Sequence, residues 1–437
     1  MIIQIQAFYV GVGSKIVLSN AKYMNSKIEL LSPVGSFESL HTAILGGADA
    51  IYFGVEQLNM RAKSIQSFSL NDVAAIKEIC TRHKIKAYIT LNTVMYAHDM
   101  QLLKIILREV KNQGIDAVIA SDFAVIEQCR QLKIPVHIST QANVSNVESV
   151  KFFAAFSDVV VLARELTLKQ VKEITDEIKR KKIKGVSGRL MQIEIFIHGA
   201  LCMAISGKCY LSLHSQNSSA NRGACVQNCR HAYKVTDLET NEELVIENEY
   251  IMSPKDLCTI NILDQIIHSG ATVLKIEGRG KGPEYVYTVT KAYRQAIESV
   301  IEGTYCNEKI ERWQSELNKV YNRGFWEGYY LGRELGEWTA HPGSAATEKK
   351  VYVGKGRKYY SKIGVGEFIL ESGNIKVGDT LMITSPVFGI VKERLDMLIV
   401  NGIETDKAEK GDLVTFPCEK KISPKDKLYK MVETKDV

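Results

Sequence analysis

The sequence is first defined by what it lacks. Its N-terminal run, Met1-Ile2-Ile3-Gln4-Ile5-Gln6, has no basic leader, and no stretch approaches about 18 unbroken apolar residues. A secreted or membrane-spanning chain is therefore not expected, and the chain is read as cytoplasmic, without a membrane partner. There is no HExxH helix for a zinc peptidase and no GxSxG elbow for a serine hydrolase. No GxGxxG follows the first strand-like run, where Ser32-Pro33-Val34-Gly35-Ser36 stands instead. No CxxC knuckle of the zinc-ribbon type is present, nor the compact three-cysteine loop of an adenosylmethionine radical enzyme.

What is present is a cluster of cysteines. Cys202, Cys209, Cys225 and Cys229 fall in a segment rich in Gly, Ser, Asn and Arg, and Cys258 follows. That segment has too few large apolar residues to form a core of its own, so its thiols are expected to hold it. In a reducing compartment clustered cysteines ligate metal more often than they pair as disulfides. Six residues separate Cys202 from Cys209, 15 separate Cys209 from Cys225, and three separate Cys225 from Cys229. This spacing suits zinc poorly, whereas four thiolates suffice for a cubane iron–sulfur cluster. The fourth position falls to Cys229 or Cys258. A cysteine nucleophile is the weaker reading: His198 lies four residues before Cys202, but a nucleophile among other thiols is open to metal capture.

The 437 residues are 45% hydrophobic and carry a net charge of +6, enough for two or three domains and a mild basic excess compatible with nucleic acid. Eight strand-like runs alternate with helical patterns: 28–34, 49–55, 85–92, 115–122, 134–141, 158–165, 193–199 and 272–279. Their number and spacing predict an α/β fold, a (β/α)8 TIM-like barrel over residues 28–303. The glycines of Gly47-Ala48-Asp49, Gly114-Ile115-Asp116 and Gly270-Ala271-Thr272 are read as helix caps before strands. The strand C-termini are polar. They carry Asn92, Gln141, Arg164, Glu165, His198, Glu277 and Arg279, beside Ser121, Asp122, Ser139 and Thr140, and in a barrel they converge on the catalytic face. Ser32 and Asp122 have a plainer reading as helix N-caps. The cysteine segment, residues 198–258, is an insertion after strand seven and lands on that face.

Residues 304–346 read as a connecting helix followed by an aromatic and glycine-rich linker. Residues 347–437, with repeated turn-then-strand units, read as a small all-β barrel. Lys349, Lys350, Lys355, Lys358 and Lys362 are interleaved there with Tyr352, Tyr359 and Tyr360, a pattern suited either to RNA or to a solvated face. Residues 1–27 are read as an N-terminal extension, either an added strand or a stretch preceding a working start near Met24.

The run Glu194-Ile195-Phe196-Ile197-His198-Gly199-Ala200-Leu201-Cys202 with Ser206-Gly207-Lys208-Cys209 closely resembles a motif of the collagenase-like peptidase family U-thirty-two. So do His137 to Asn143, Leu162 to Leu166, Ser253 to Cys258, and Lys275-Ile276-Glu277-Gly278-Arg279. The match spans residues 28 to about 335 and departs at Gly280 and Gly282. The resemblance carries an older protease label and a better-supported activity, oxygen-independent hydroxylation by a 4Fe-4S protein with prephenate as hydroxyl donor. It implies a longer member acting on transfer RNA wobble uridine to give 5-hydroxyuridine, with ribosomal RNA hydroxylation or peptide cleavage as alternatives. On this reading His198 and Glu277 are catalytic, and Arg61, Asn92, Gln141, Arg164, Glu165 and Arg279 bind substrates. Prephenate bears two carboxylates, which suit the bidentate cations Arg61, Arg164 and Arg279.

Overall fold

The computed structural model describes residues 28–434 except 56, 62–67, 235, 237, 241–249, 251, 333–335, 341 and 342. The N-terminal extension at 1–27 lies outside the described residues. Eight parallel strands close a barrel: β1 (Glu29–Pro33), β2 (Ala50–Phe53), β3 (Lys86–Leu91), β4 (Ala117–Ala120), β5 (Val136–Ile138), β6 (Val159–Val161), β7 (Gln192–Gly199) and, skipping one strand, β9 (Val273–Ile276). β9 pairs with both β7 and β1, which seals the ring. Parallel strands covered on both faces are apolar along their length, as in the fully buried Ala-Ile-Tyr-Phe of β2 and Val-Val-Val of β6.

A helix follows each barrel strand: α1 (Phe37–Leu45), α2 (Val73–Arg82), α3 (Met100–Asn112), α4 (Phe123–Leu132), α5 (Val147–Phe153), α6 (Leu168–Lys181), α8 (Leu263–His268) and α9 (Pro283–Ile301). The short α7 (Leu211–Gln216) belongs to the cysteine segment. Each long helix buries one stripe; α3 turns Leu103, Ile106, Leu107 and Val110 inward. Gly47, Gly114 and Gly270 hold φ of 87°, 65° and 88°, so the chain reverses into β2, β4 and β9 through a left-handed residue, as expected from the sequence. Asp122 is the N-cap of α4, its carboxylate accepting from the Ala124 amide. Ser32 is not a cap. It is buried against Thr290, and Ser36 caps α1.

Two elements were not legible in the sequence. Strand β8 (Asp256–Cys258) runs antiparallel to the end of β7, and β10 (Phe325–Trp326) adds beside it. Within 304–346, β10 is therefore sheet, and α10 (Asn307–Asn318) packs on α9.

The C-terminal region is all antiparallel β. Its eight-stranded sheet runs in the order 389–394, 380–385, 427–433, 348–360, 365–370, 413–417, 399–400 and 403–404, with a separate pair at 374–376 and 407–409. It has its own core around Phe368, Ile383, Val414 and Leu428, distinct from the barrel core. It leans on the barrel through α1 and α9, where Lys350 meets Glu284 at 2.6 Å. Part of the basic and aromatic pattern of strand 348–360 is paired within the protein, while Lys349, Lys355 and Lys358 are exposed. Lys350 and Lys355 are ion-paired, and the Tyr352 and Tyr360 hydroxyls donate to Glu371 and Glu367. No described helix is long and apolar enough to cross a membrane.

Candidate active site

The polar strand ends and the cysteine segment enclose one cavity of about 180 Å³ at the C-terminal mouth of the barrel. Tyr52, Thr90, Asn92, Gln141, Arg164, Phe196, Lys275, Glu277 and Arg279 form its floor and walls, and the insertion after β7 forms its roof.

Cations dominate the lining. Arg61, beyond β2, donates to Glu277 at 2.9 Å. Burial alone would push the Glu277 carboxyl up, but Arg61, Arg164 and Lys281 outweigh it and hold the group at about 2. Glu277 is thus a fixed anion. Arg279 is buried and donates to neutral acceptors, Asn59 Oδ1 at 3.2 Å and Thr90 Oγ1 at 2.5 Å; burial lowers it to about 10. Arg164 lies 4.3 Å above the Phe196 ring and donates to the Ala200 carbonyl, while its buried Nε finds no partner among the described residues. Lys275 enters the cavity from inside the barrel, held by buried Glu194 at 2.7 Å. Burial lowers Lys275 and raises Glu194, and their mutual attraction opposes both shifts. A set of guanidinium groups facing a single carboxylate suits an anionic ligand.

Cys202, Cys209, Cys225 and Cys229 all line the same cavity. Burial raises the Cys229 thiol, Arg230 pulls it down, and the other three cysteines raise it again, so the four share one electrostatic environment. Arg230 ties the segment to its two roots, donating to the Leu201 carbonyl at 2.6 Å and to the Pro254 carbonyl at 2.7 Å. No three Cys, His, Asp or Glu side chains among the described residues converge closely enough for a single metal ion. Four thiols line the one cavity, the number of ligands a cubane cluster would take, with arginines alongside. Cys258 is elsewhere. It lies on β8, buried, accepting from the Tyr293 hydroxyl at 3.8 Å, with its thiol pushed up to about 11 by burial.

Of the residues singled out from sequence, the structure brings together Arg61, Asn92, Gln141, Arg164, Glu277, Arg279 and the four clustered cysteines. Asn92 donates to Gln141 at 3.3 Å, and Ser139 donates to the same amide oxygen. His198 and Glu165 are not among the lining residues. His198 points into a nest of Tyr285, Tyr293 and Phe325, and burial lowers it to about 3. Its Nδ1 lies 3.3 Å from the Tyr293 hydroxyl. Glu165 is exposed beyond the end of β6. Sequence reasoning passed over Tyr52, Lys275, Arg230 and Arg323, all of which line the cavity. Lys275 had a signal, being in phase with Glu277 and Arg279 along one strand face.

Residues 35–340 match peptidase family U32. A protein of Porphyromonas gingivalis named collagenase is 50% identical over 402 residues, 92% of this chain and 97% of that protein. A transfer RNA hydroxylation protein of Bacillus subtilis is 32% identical over 328 residues, 72% of this chain and 74% of its own. A 23S ribosomal RNA 5-hydroxycytidine synthase of Escherichia coli is 36% identical over 283 residues, 63% of this chain and 40% of its own.

Proposed function

Starting from a chain that belongs to peptidase family U32, we propose an enzyme that hydroxylates transfer RNA wobble uridine to 5-hydroxyuridine, using a 4Fe-4S cluster and prephenate as hydroxyl donor. The observation that carries this reading is the single cavity in which four thiols face a set of arginines. Cys202, Cys209, Cys225 and Cys229 would hold the cluster. When bound, such a cluster supplies redox-active iron beside the anion-binding floor.

The chain's own residues account for the rest. Arg279 and Arg164 have donor capacity left for a carboxylate, Arg279 because its partners are neutral and Arg164 through its unpartnered Nε. Arg61 is a third guanidinium available to a dicarboxylate, oriented by Glu277. At about 2, Glu277 is too acidic to donate a proton near neutrality, so it acts by position and charge. The Asn92–Gln141 amide pair offers donors and acceptors to the edge of a flipped base. The relatives named for RNA hydroxylation support the same substrate class.

Peptide cleavage is the second reading, favoured by the name of the 50% identical relative. It ranks lower because no histidine among the described residues lines the cavity with the cysteines. The deciding measurement is nucleoside mass spectrometry of transfer RNA from a deletion strain. Loss of 5-hydroxyuridine, restored by the wild-type gene but not by a Cys229→Ser copy, is expected; an unchanged nucleoside profile overturns the proposal. Protein purified without oxygen should carry about four irons per chain, retained in Cys258→Ser and lost in Cys229→Ser.

A further inference from the structure

Five large apolar side chains stand exposed on the segments that border the cavity: Val94, Tyr96, Met203, Ile205 and Tyr210. Tyr210 is 69% and Tyr96 51% exposed. Chain connectivity and backbone contacts set them next to residues that line it. Met203 follows Cys202, Ile205 is itself a lining residue, and Tyr210 sits between Cys209 and Leu211, both of which line the cavity. The opposite side is built from the loop after β3. There the Val94 amide donates to the Asn221 carbonyl, and Arg222 donates to the Val94 carbonyl at 2.9 Å. Arg222 lies 4.2 Å above the Tyr96 ring and pairs with Asp99. Leaving this much apolar surface wet is unfavourable, and nothing in the barrel's packing requires it.

We propose that this rim is a stacking platform for the unpaired bases of an RNA loop, with Tyr210 and Tyr96 as the two main supports. The neighbours of the target nucleotide rest on the rim while the target enters the cavity. The charge of the site selects this occupant. Behind the rim lie Arg61, Arg164, Arg230, Arg279 and Arg323, with Glu277 as the one carboxylate among the lining residues. Rings at the edge and guanidinium groups within are the combination that single-stranded nucleic acid engages, since every base has a face to stack and every nucleotide a phosphate. An apolar rim alone would suit a protein partner equally; the cationic interior does not.

This inference rests on the RNA reading of the cavity, and its test separates the two. Full-length protein purified without oxygen is titrated with a synthetic RNA hairpin carrying an unpaired uridine-containing loop, and with a blunt duplex of the same stem. Tyr210→Ala and Tyr96→Ala should each weaken hairpin binding roughly tenfold while leaving duplex binding unchanged, and Tyr210→Phe and Tyr96→Phe should restore it. Thermal midpoints of the variants establish that they are folded. Hairpin affinity equal to wild type in folded alanine variants overturns the proposal. So does retained hairpin affinity with loss of a co-purifying protein. If the variants lose the hairpin but wild type modifies no nucleoside, the platform stands and the hydroxylation reading falls. If wild type modifies transfer RNA and the variants bind as well as it does, the reverse holds.

Discussion

Glu277 and Arg61 hold each other's charge inside a cavity where either one alone would be costly. The carboxyl sits at about 2 against an ordinary 4.5. Its lowered value means that its contribution to stability is fully present above about pH 4.5 and disappears as pH falls through about 2. That contribution is of the order of 3 kcal/mol. In urea titrations Glu277→Gln should unfold earlier than wild type near neutrality, and the gap should narrow steadily below about pH 4.5. A gap independent of pH would mean that the ion pair is not its source. Both members of this pair were singled out in the sequence, but not their contact. Glu277, Arg279 and Arg164 fall at strand ends, where the barrel fixes their direction, and were found for that reason. Arg230 and Arg323 lie in irregular segments whose path no periodicity reveals. The surroundings of His198 were not legible, because its position near the end of β7 says nothing of the three rings around it. Cys229 lines the cavity and Cys258 lies on β8, a three-residue strand too short to be read from a pattern.

At the scale of elements, the turn out of β7 is the tightest constraint near the site. Gly199 has φ of 105°, and a Cβ there would stand 2.4 Å from the Glu277 carbonyl oxygen. The clash is with backbone, so no rotamer relieves it. Gly199→Ala should destabilise the protein by about 2 kcal/mol or more and loosen the Arg61–Glu277 pair, seen as faster amide exchange over β7 and β9. Unchanged exchange in both strands would show that the turn absorbs the methyl group. All eight barrel strands were legible, because buried parallel strands are short apolar runs at regular spacing. β8 and β10 were not, since they are additions of three and two residues, too short to show a pattern.

At the scale of the whole molecule, two separate cores share one chain. Trp313, Trp326 and Trp338 all lie on the barrel side of residue 347, so tryptophan emission reports the barrel alone, while far-ultraviolet circular dichroism reports both units. In guanidinium the two signals should give transitions with different midpoints, each unit unfolding on its own core. Coincident transitions would show that the contacts of α1 and α9 with the β region bind the two into one cooperative unit. The all-β character of this region was legible from its turns, but its resting place against α1 and α9 was not, because that contact depends on surface shape.

β7 and β9 hydrogen-bond directly to each other, although the whole cysteine segment lies between them in the chain. That segment departs at Gly199 and returns at β8, pinned to β7 where His198 pairs with Cys258. Assembly therefore has a natural order. The contacts that close the ring involve no residue of the segment, so the scaffold can be finished and sealed while the roof is still open.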